Sequence, residues 1–295
     1  MIPHEAVRRD VPLGPMTTYK VGGSADWYAE PKDLEELRAI LDLVPDDVPV
    51  TTIGRGSNLV VSDKGVRGLV IRLGHGFAGI DASRPQVVAG GAAPLPILAR
   101  TASAAGRGGL EFFVGIPGSV GGAVRMNAGG HGSNTREVLD HALVLGVRTR
   151  SLDRRGPQEL DLSYRHSNLS DDDLVVQATF TTSPIDPAEG ERVLREITRW
   201  RREHQPGGTL NAGSVFKNPD SDAAGAIIDG LGLKGHTIGP VSVSPVHANF
   251  MVATKDATAS DIARFVSDVR ERVEAATGIR LEPEIRFLGE FDEAV

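Results

Sequence analysis

Residues 110–132, LEFFVGIPGSVGGAVRMNAGGHG, constrain this chain more than any other stretch. Seven of them are glycine (115, 118, 121, 122, 129, 130 and 132), interleaved with Phe112, Phe113, Val114, Ile116, Val120, Val124 and Met126. Glycine admits positive φ and lets another group come close to the backbone, at an entropic cost carried by the unfolded chain. A stretch this apolar does not behave as a disordered linker. It is either a buried glycine-rich turn or a wall of backbone N–H groups against which a large flat ligand lies.

The flanking sequence supplies the framework. Residues 17–30 read as strand, turn and strand around Gly22 and Gly23. Asp33 followed by Glu36 opens a helix carrying Leu34, Leu37, Ile40 and Leu41 at helical spacing. A strand at 48–53, the loop 54–58 and a strand at 59–63 complete a small α/β domain ending near Leu73. A second unit runs from 74 to about 183, with strands at QVVAGG, HALVLGVRT and DLVVQATFTT and a helix over 96–105 before the glycine stretch. A helix over 187–205, stopped by Pro206, leads into a third α/β unit. That unit has helices at 223–233 and 260–277, with Gly278 as a C-cap, and strands near 237–243 and 249–253. The final strand, IRLEPEIRFLG, is expected to return to the second unit.

Composition narrows the class. With 295 residues, 40% hydrophobic and 24% charged, the chain has room for two or three ordinary globular domains. A net charge of −7 argues against a nucleic-acid partner, while local Arg and Lys residues suffice for an anionic small molecule. The absence of cysteine excludes disulfides, thiolate catalysis and Cys-ligated metals. The eight histidines lack metal-ligand spacing, so no metal is expected. MIPHEAVRRD lacks the apolar core of a signal peptide and no run reaches membrane-spanning length, so a cytoplasmic protein without membrane attachment is expected.

Five local features bear on chemistry. The loop Gly54, Arg55, Gly56, Ser57, Asn58 is not a dinucleotide fingerprint, because Leu59 occupies the third glycine position and no helix follows. It is either an anion-binding nest of N–H groups or a plain strand–strand turn. Ser214 in NAGSVFKNP lies outside any G-x-S-x-G elbow, and its hydroxyl can donate a proton, bind phosphate or cap a helix. Lys217, Asn218 and His247, with Arg201 or Arg202, bring polar and basic groups toward an anion in an acidic chain. Arg165 in SYRHS is a fork for a carboxylate or the partner of the DDD run that follows. Glu284 in LEPEIRF falls by period on a solvated strand face.

Taken together and in order, VGGSADWY, GRGSNLVVSDKG, GLEFFVGIPGSVGGAVRMNAGGHG, SYRHS, NAGSVFKNP, HANFMV and LEPEIRFLG closely resemble the UDP-N-acetylenolpyruvoylglucosamine reductase (MurB) family, type II branch. The resemblance runs from about residue 15 to 290, and Arg55 departs from it where the family more often has glycine at the pyrophosphate turn. It implies an α+β protein with a PCMH/vanillyl-alcohol-oxidase-type two-part FAD-binding fold and a separate α/β substrate-binding domain. The implied divisions are 1–73 and 74–185 for FAD, the latter joined by a C-terminal strand in 281–295, and 190–280 for substrate.

The resemblance further implies non-covalent FAD, NADPH as hydride donor and a UDP-sugar substrate. The enolpyruvyl ether takes hydride from flavin N5 at its terminal methylene carbon. Ser214 becomes the proton donor to the neighbouring carbon, and Arg165 and Glu284 stabilise the enolate at the substrate carboxylate. Glu284 helps there only when it carries or shares a proton. FAD is expected on Gly54, Arg55, Gly56, Ser57 and Asn58 at its pyrophosphate. Gly115, Ile116, Pro117, Gly118, Ser119, Gly121, Gly122, Asn127, Ala128 and Gly129 are expected along its ring. Lys217, Asn218 and His247 are expected at the UDP diphosphate. Two alternatives share the glycine loops: another PCMH-type FAD oxidoreductase, and a nucleotide-sugar-binding protein without catalysis.

Overall fold

The computed structural model describes residues 2–292, which divide into two compact units. The first contains the residues up to Arg9, Trp27–Arg55 and Gly68–Arg201; the second contains Asp10–Asp26, Gly56–Arg67 and the residues from Arg202 onward.

The first unit is built on a five-stranded antiparallel sheet in the order Leu152–Arg155, Leu139–Gly146, Asp173–Thr181, Gln86–Gly90, Ile80–Asp81. Asp173–Thr181 is central and almost wholly buried, which is why DLVVQATF is nearly continuous in apolar residues. The helices Leu95–Ala104 and Val120–Arg125 and the 3-10 turn Glu111–Gly115 share one core with this sheet, in which Phe113 meets Phe180 edge-to-face at 5.7 Å. The glycine stretch is therefore a turn and a short helix lying over a sheet. A second core gathers Leu37, Ile40 and Leu41 of the helix Leu34–Asp42 against Leu69 and Ile71. That helix starts where expected, because the Asp33 carboxylate accepts from Glu36 N at 2.8 Å. Val50–Ile53 pairs in parallel with Leu69 to Arg72, so the chain leaves this strand at Gly54.

In the second unit the helix Ala259–Thr277 packs its apolar stripe, including Ile262, Phe265, Val266 and Val269, against Val60, Val215, Phe216 and the hairpin strands Val241–Val243 and Met251–Ala253. Thr258 and Asp261 form a reciprocal capping box, and Gly278 closes the helix in the left-handed region at φ 74°. A second cap comes from far away in sequence: Asp63 accepts from Ala259 N and Ser260 N, both at 2.9 Å, and from the Ser260 hydroxyl at 2.7 Å. Asp63→Ala is expected to lower stability by about 1–2 kcal/mol, since it removes both a cap and a negative charge at a helix N-terminus. Urea unfolding measures this, and an unchanged midpoint would mean that Thr258 alone satisfies the helix end.

Two expectations fail here. Residues 17–23 form no strand: Tyr19 is fully buried, donates its hydroxyl to Met251 O at 2.9 Å, and burial pushes its pKa up. Gly22 instead allows close backbone contact, since a Cβ there would stand 2.5 Å from Val61 O. The C-terminal strand does not return to the sheet of 74–185. Arg286–Leu288 pairs in parallel with Leu59–Val61, and Asn58 secures it by donating Nδ2 to Glu284 O and accepting from Arg286 N, each at 2.9 Å. Phe287 then packs on the second unit's core. The expected first division, 1–73, is accordingly shared between the two units, and the tail of the expected 281–295 segment, 293–295, lies outside the described residues.

Candidate active site

Within the first unit a cleft opens between the end of Val50–Ile53 and the start of Val120–Arg125, lined by Gly54, Arg55, Ser119, Gly121 and Gly122. Two segments sixty-odd residues apart thus meet on one surface, as expected for a shared ligand. Gly54 and Ser119 are pressed together: a Cβ on Gly54 would stand 2.8 Å from Ser119 Oγ. Ser119 caps the short helix, accepting from Gly122 N at 3.4 Å. Among the described residues the amides of Gly54 and Arg55 donate no backbone hydrogen bond, so they remain available to an acceptor in the cleft. Sequence reasoning missed the rest of the lining: Thr52, Ile53, Arg72, Leu73, Gly91, Ala92, Arg125 and 173–175. The Gly90–Gly91 doublet at a strand end was the available signal, for a Cβ on Gly91 would stand 2.1 Å from Val175 O.

Glycine-lined walls, the amides of Gly54 and Arg55 and the guanidinium groups of Arg55 and Arg72 suit a flat molecule bearing phosphates, while the Arg125 guanidinium is taken up by the carbonyls of Leu169, Ser170 and Asp173. The residues present therefore fit a dinucleotide such as FAD.

The other residues of the glycine stretch sit elsewhere in this unit. Gly115 is buried, and a Cβ there would approach Arg201 Cδ at 2.9 Å and His131 Nε2 at 3.2 Å. Ile116 N closes a turn onto Phe113 O, Pro117 is exposed, and Gly118 O accepts from Leu95 N. Burial lowers the pKa of Arg201, and burial followed by the Arg201 charge lowers that of His131, whose ring meets Trp200 at 5.1 Å. Arg202 is exposed in the second unit.

Arg165 occupies a second cleft of the first unit, with Asn127, Asn134, Arg136, Glu137, Ser163 and Tyr164. Its guanidinium stacks over the Tyr164 ring at 5.2 Å and donates to Gly129 O at 3.2 Å, so Gly129 and Arg165 do meet. The DDD run has other partners: Asp172 faces Arg148 at 3.8 Å and Asp173 faces Arg155 at 2.9 Å. Ala128 is half-buried beside them, and its carbonyl accepts from Thr135 N at 2.9 Å.

In the second unit, 214–217 is an extended segment held on both sides. Ser214 bridges Phe250, Val215 N donates to Asn249 O at 2.8 Å, and the Asn249 side chain both donates to and accepts from Phe216. On the other side Glu284 N donates to Val215 O at 2.7 Å and Lys217 N to Glu282 O at 2.9 Å. Ser214 and Glu284 are thereby brought onto adjacent extended segments. No helix follows Ser214 and, among the described residues, its hydroxyl makes no hydrogen bond, which removes the capping reading. Glu284 is half-buried beside buried Ile285, not on a solvated strand face, because the strand begins only at Arg286.

Around this segment Lys217 pairs with exposed Glu282 at 3.2 Å, and Asn218 Oδ1 accepts from Ala224 N at 3.0 Å, opening the helix Ala224–Gly230. His247 Nδ1 accepts from Asn249 N at 3.2 Å, while burial and then Lys234 lower its pKa. With Nδ1 accepting, the neutral ring carries its proton on Nε2. Gly56, Ser57 and Asn58 belong to this unit too. Gly56 turns at φ 66° tightly against Met16 O and Thr17, and its carbonyl accepts from Thr18 N.

Residues 25–149 match the FAD binding domain model, and the fold with its backbone-walled cleft places the chain among flavoproteins of the PCMH-type fold. Residues 205–288 match the C-terminal domain model of UDP-N-acetylenolpyruvoylglucosamine reductase. The reductases of that name from Paramagnetospirillum magneticum and Rubrobacter xylanophilus are each 43% identical to the chain. The first covers 95% of this chain and 91% of its own length, the second 97% and 96%. The crystal structure of the enzyme from Thermus caldophilus superposes with a TM-score of 0.83 at 34% identity, covering 96% of this chain and 98% of that one. The chain belongs to the UDP-N-acetylenolpyruvoylglucosamine reductase family.

Proposed function

We propose that the chain reduces the enolpyruvyl ether of UDP-N-acetylglucosamine, using NADPH and non-covalent FAD, to UDP-N-acetylmuramate in peptidoglycan precursor synthesis. Family membership along nearly the whole chain supports the overall reaction. The observation that carries the catalytic reading is the Ser214 hydroxyl, which makes no hydrogen bond among the described residues, on a segment pinned beside Glu284. No described helix is long and apolar enough to cross a membrane, and NADPH and a UDP-sugar are intracellular reagents, so we place the reaction in the cytoplasm. Its product feeds cell wall biogenesis and, through it, cell shape and division.

Bound FAD supplies a two-electron carrier between NADPH and substrate. Gly54, Arg55, Ser119, Gly121 and Gly122 would hold it in the cleft of the first unit. Ser214 delivers a proton to the carbon beside the substrate carboxylate. Arg165, and Glu284 where it carries or shares a proton, stabilise the charge that reaches that carboxylate as the double bond is reduced. Because this charge grows along the reaction, an arginine fork aimed at it favours the transition state over the ground state.

Lys217, Asn218 and His247 meet the diphosphate. Lys217→Ala is expected to raise KM for the sugar nucleotide by about 10-fold or more, as a charge-assisted contact is worth about 1.5–3 kcal/mol, while NADPH reduces the bound cofactor at the parent rate. Equal losses in both half-reactions would instead indicate damage to the fold.

The test of the whole reading is NADPH consumption by FAD-loaded protein. Oxidation should be slow alone and fast once the enolpyruvyl sugar nucleotide is added. Protein that binds the sugar nucleotide but never consumes NADPH would be a binding protein. Oxidation indifferent to the sugar nucleotide would mark a different flavin oxidoreductase.

A further inference from the structure

Asn127 was expected to touch the cofactor, yet its side chain is buried, 5% exposed, and used at both ends within the chain. Its Nδ2 donates to Ser163 O at 2.7 Å, and its Oδ1 accepts from Arg136 N at 2.8 Å. Ser163 and His166 pair across a tight turn, Ser163 N to His166 O at 3.2 Å and the reverse at 3.1 Å, so Tyr164 and Arg165 form its tip. Arg165 holds φ 52° there, in the left-handed region where a turn normally places glycine or asparagine. Such a backbone persists only where its surroundings hold it.

Three of the contacts that hold this turn come from one short segment. Asn127 takes Ser163 O, Arg125 O accepts the Ser167 hydroxyl at 2.6 Å, and Gly129 O accepts the Arg165 guanidinium. That segment directly follows the helix Val120–Arg125, whose first turn lines the glycine-walled cleft. We propose that Asn127 is a positioning residue that fixes the Arg165 turn by holding Ser163 O. The inference rests on the catalytic role proposed above for Arg165. Without the Asn127 amide, Ser163 O loses a buried donor and Arg165 can relax toward an ordinary backbone conformation.

Asn127→Asp tests this, because it preserves size and the acceptor for Arg136 N but cannot donate to Ser163 O. Asn127→Gly, which tolerates φ 39°, is the second variant should aspartate prevent folding. In holoenzyme, kcat should fall about 10-fold or more, as expected for a displaced catalytic group, while FAD affinity stays within about twofold. In an Arg165→Ala background the same change should cost less than about twofold further, the non-additivity of residues acting as one. Tryptic cleavage of the native protein after Arg165, followed by mass spectrometry, should accelerate.

Weaker FAD binding with unchanged turnover per bound flavin would overturn the inference and return Asn127 to the cofactor. Unchanged cleavage together with full multiplicative losses would overturn it as well. Arg165→Ala turning over at the parent rate would refute the role of Arg165 itself and this inference with it. That outcome is distinct from one in which Arg165→Ala is slow and Asn127→Asp is not.

Discussion

Ser214→Ala is expected to leave reduction of the bound cofactor by NADPH at the parent rate. Reoxidation by the enolpyruvyl sugar nucleotide should slow by more than about 10²-fold, because general acid catalysis typically contributes about 10²–10⁴-fold. The two half-reactions differ in one requirement: only the second must end with a proton on carbon. The substitution is mild for the fold. Ser214 is held through its backbone neighbours, Val215 N on Asn249 O and Glu284 N on Val215 O, and its hydroxyl makes no hydrogen bond among the described residues. Alanine therefore removes the hydroxyl and little else. A capping serine would instead cost about 1 kcal/mol of stability and leave both rates alone. Stopped-flow absorbance reads both half-reactions on one sample, and reoxidation at the parent rate would remove Ser214 from catalysis.

Local signals were legible where structure is local. The helix Leu34–Asp42 was readable from Asp33 and its apolar spacing, and the helix Ala259–Thr277 from its stripe and Gly278. The strands of the five-stranded sheet were readable because DLVVQATF and HALVLG are apolar enough to be buried. What escaped depends on distant partners. Arg286–Leu288 joins Leu59–Val61 because Asn58 accepts and donates at its start, a pairing no periodicity encodes. Likewise 10–26 and 56–67 belong with the C-terminal residues, although chain order suggests consecutive domains.

The site shows the same limit. Gly54 and Gly122 stood out by composition, whereas Arg72 and Val175 reach the cleft only through strand register. Ser214 and Glu284 looked like a cap and a solvated strand residue, since each has an ordinary local explanation. Only the bridging of 214–217 by 249–250 and 282–285 shows that neither explanation applies.

Gly56 and Gly122 both lie in glycine loops, yet substituting them should fail in different ways. Gly56 turns at φ 66° with Met16 O where a Cβ would come within 2.2 Å, so a larger residue there damages the fold before any ligand matters. At Gly122 the backbone is helical and a Cβ would meet only Ser119 Oγ, at 3.6 Å, an ordinary contact. Gly122→Ala should therefore be neutral or stabilising by up to about 1 kcal/mol, the helix-propensity difference. Gly122→Leu should also fold, but its side chain fills the cleft that Gly122 lines. Forcing a ligand past it costs at least the about 1–3 kcal/mol of an overpacked core, or about 10–10²-fold in affinity, and complete exclusion if the ring lies where the leucine does. The expected Gly122→Leu protein has the parent urea midpoint measured without FAD and leaves gel filtration colourless after incubation with it. A yellow Gly122→Leu protein would show that the flavin does not lie on this wall, and the cleft between Gly54 and Ser119 would need another ligand.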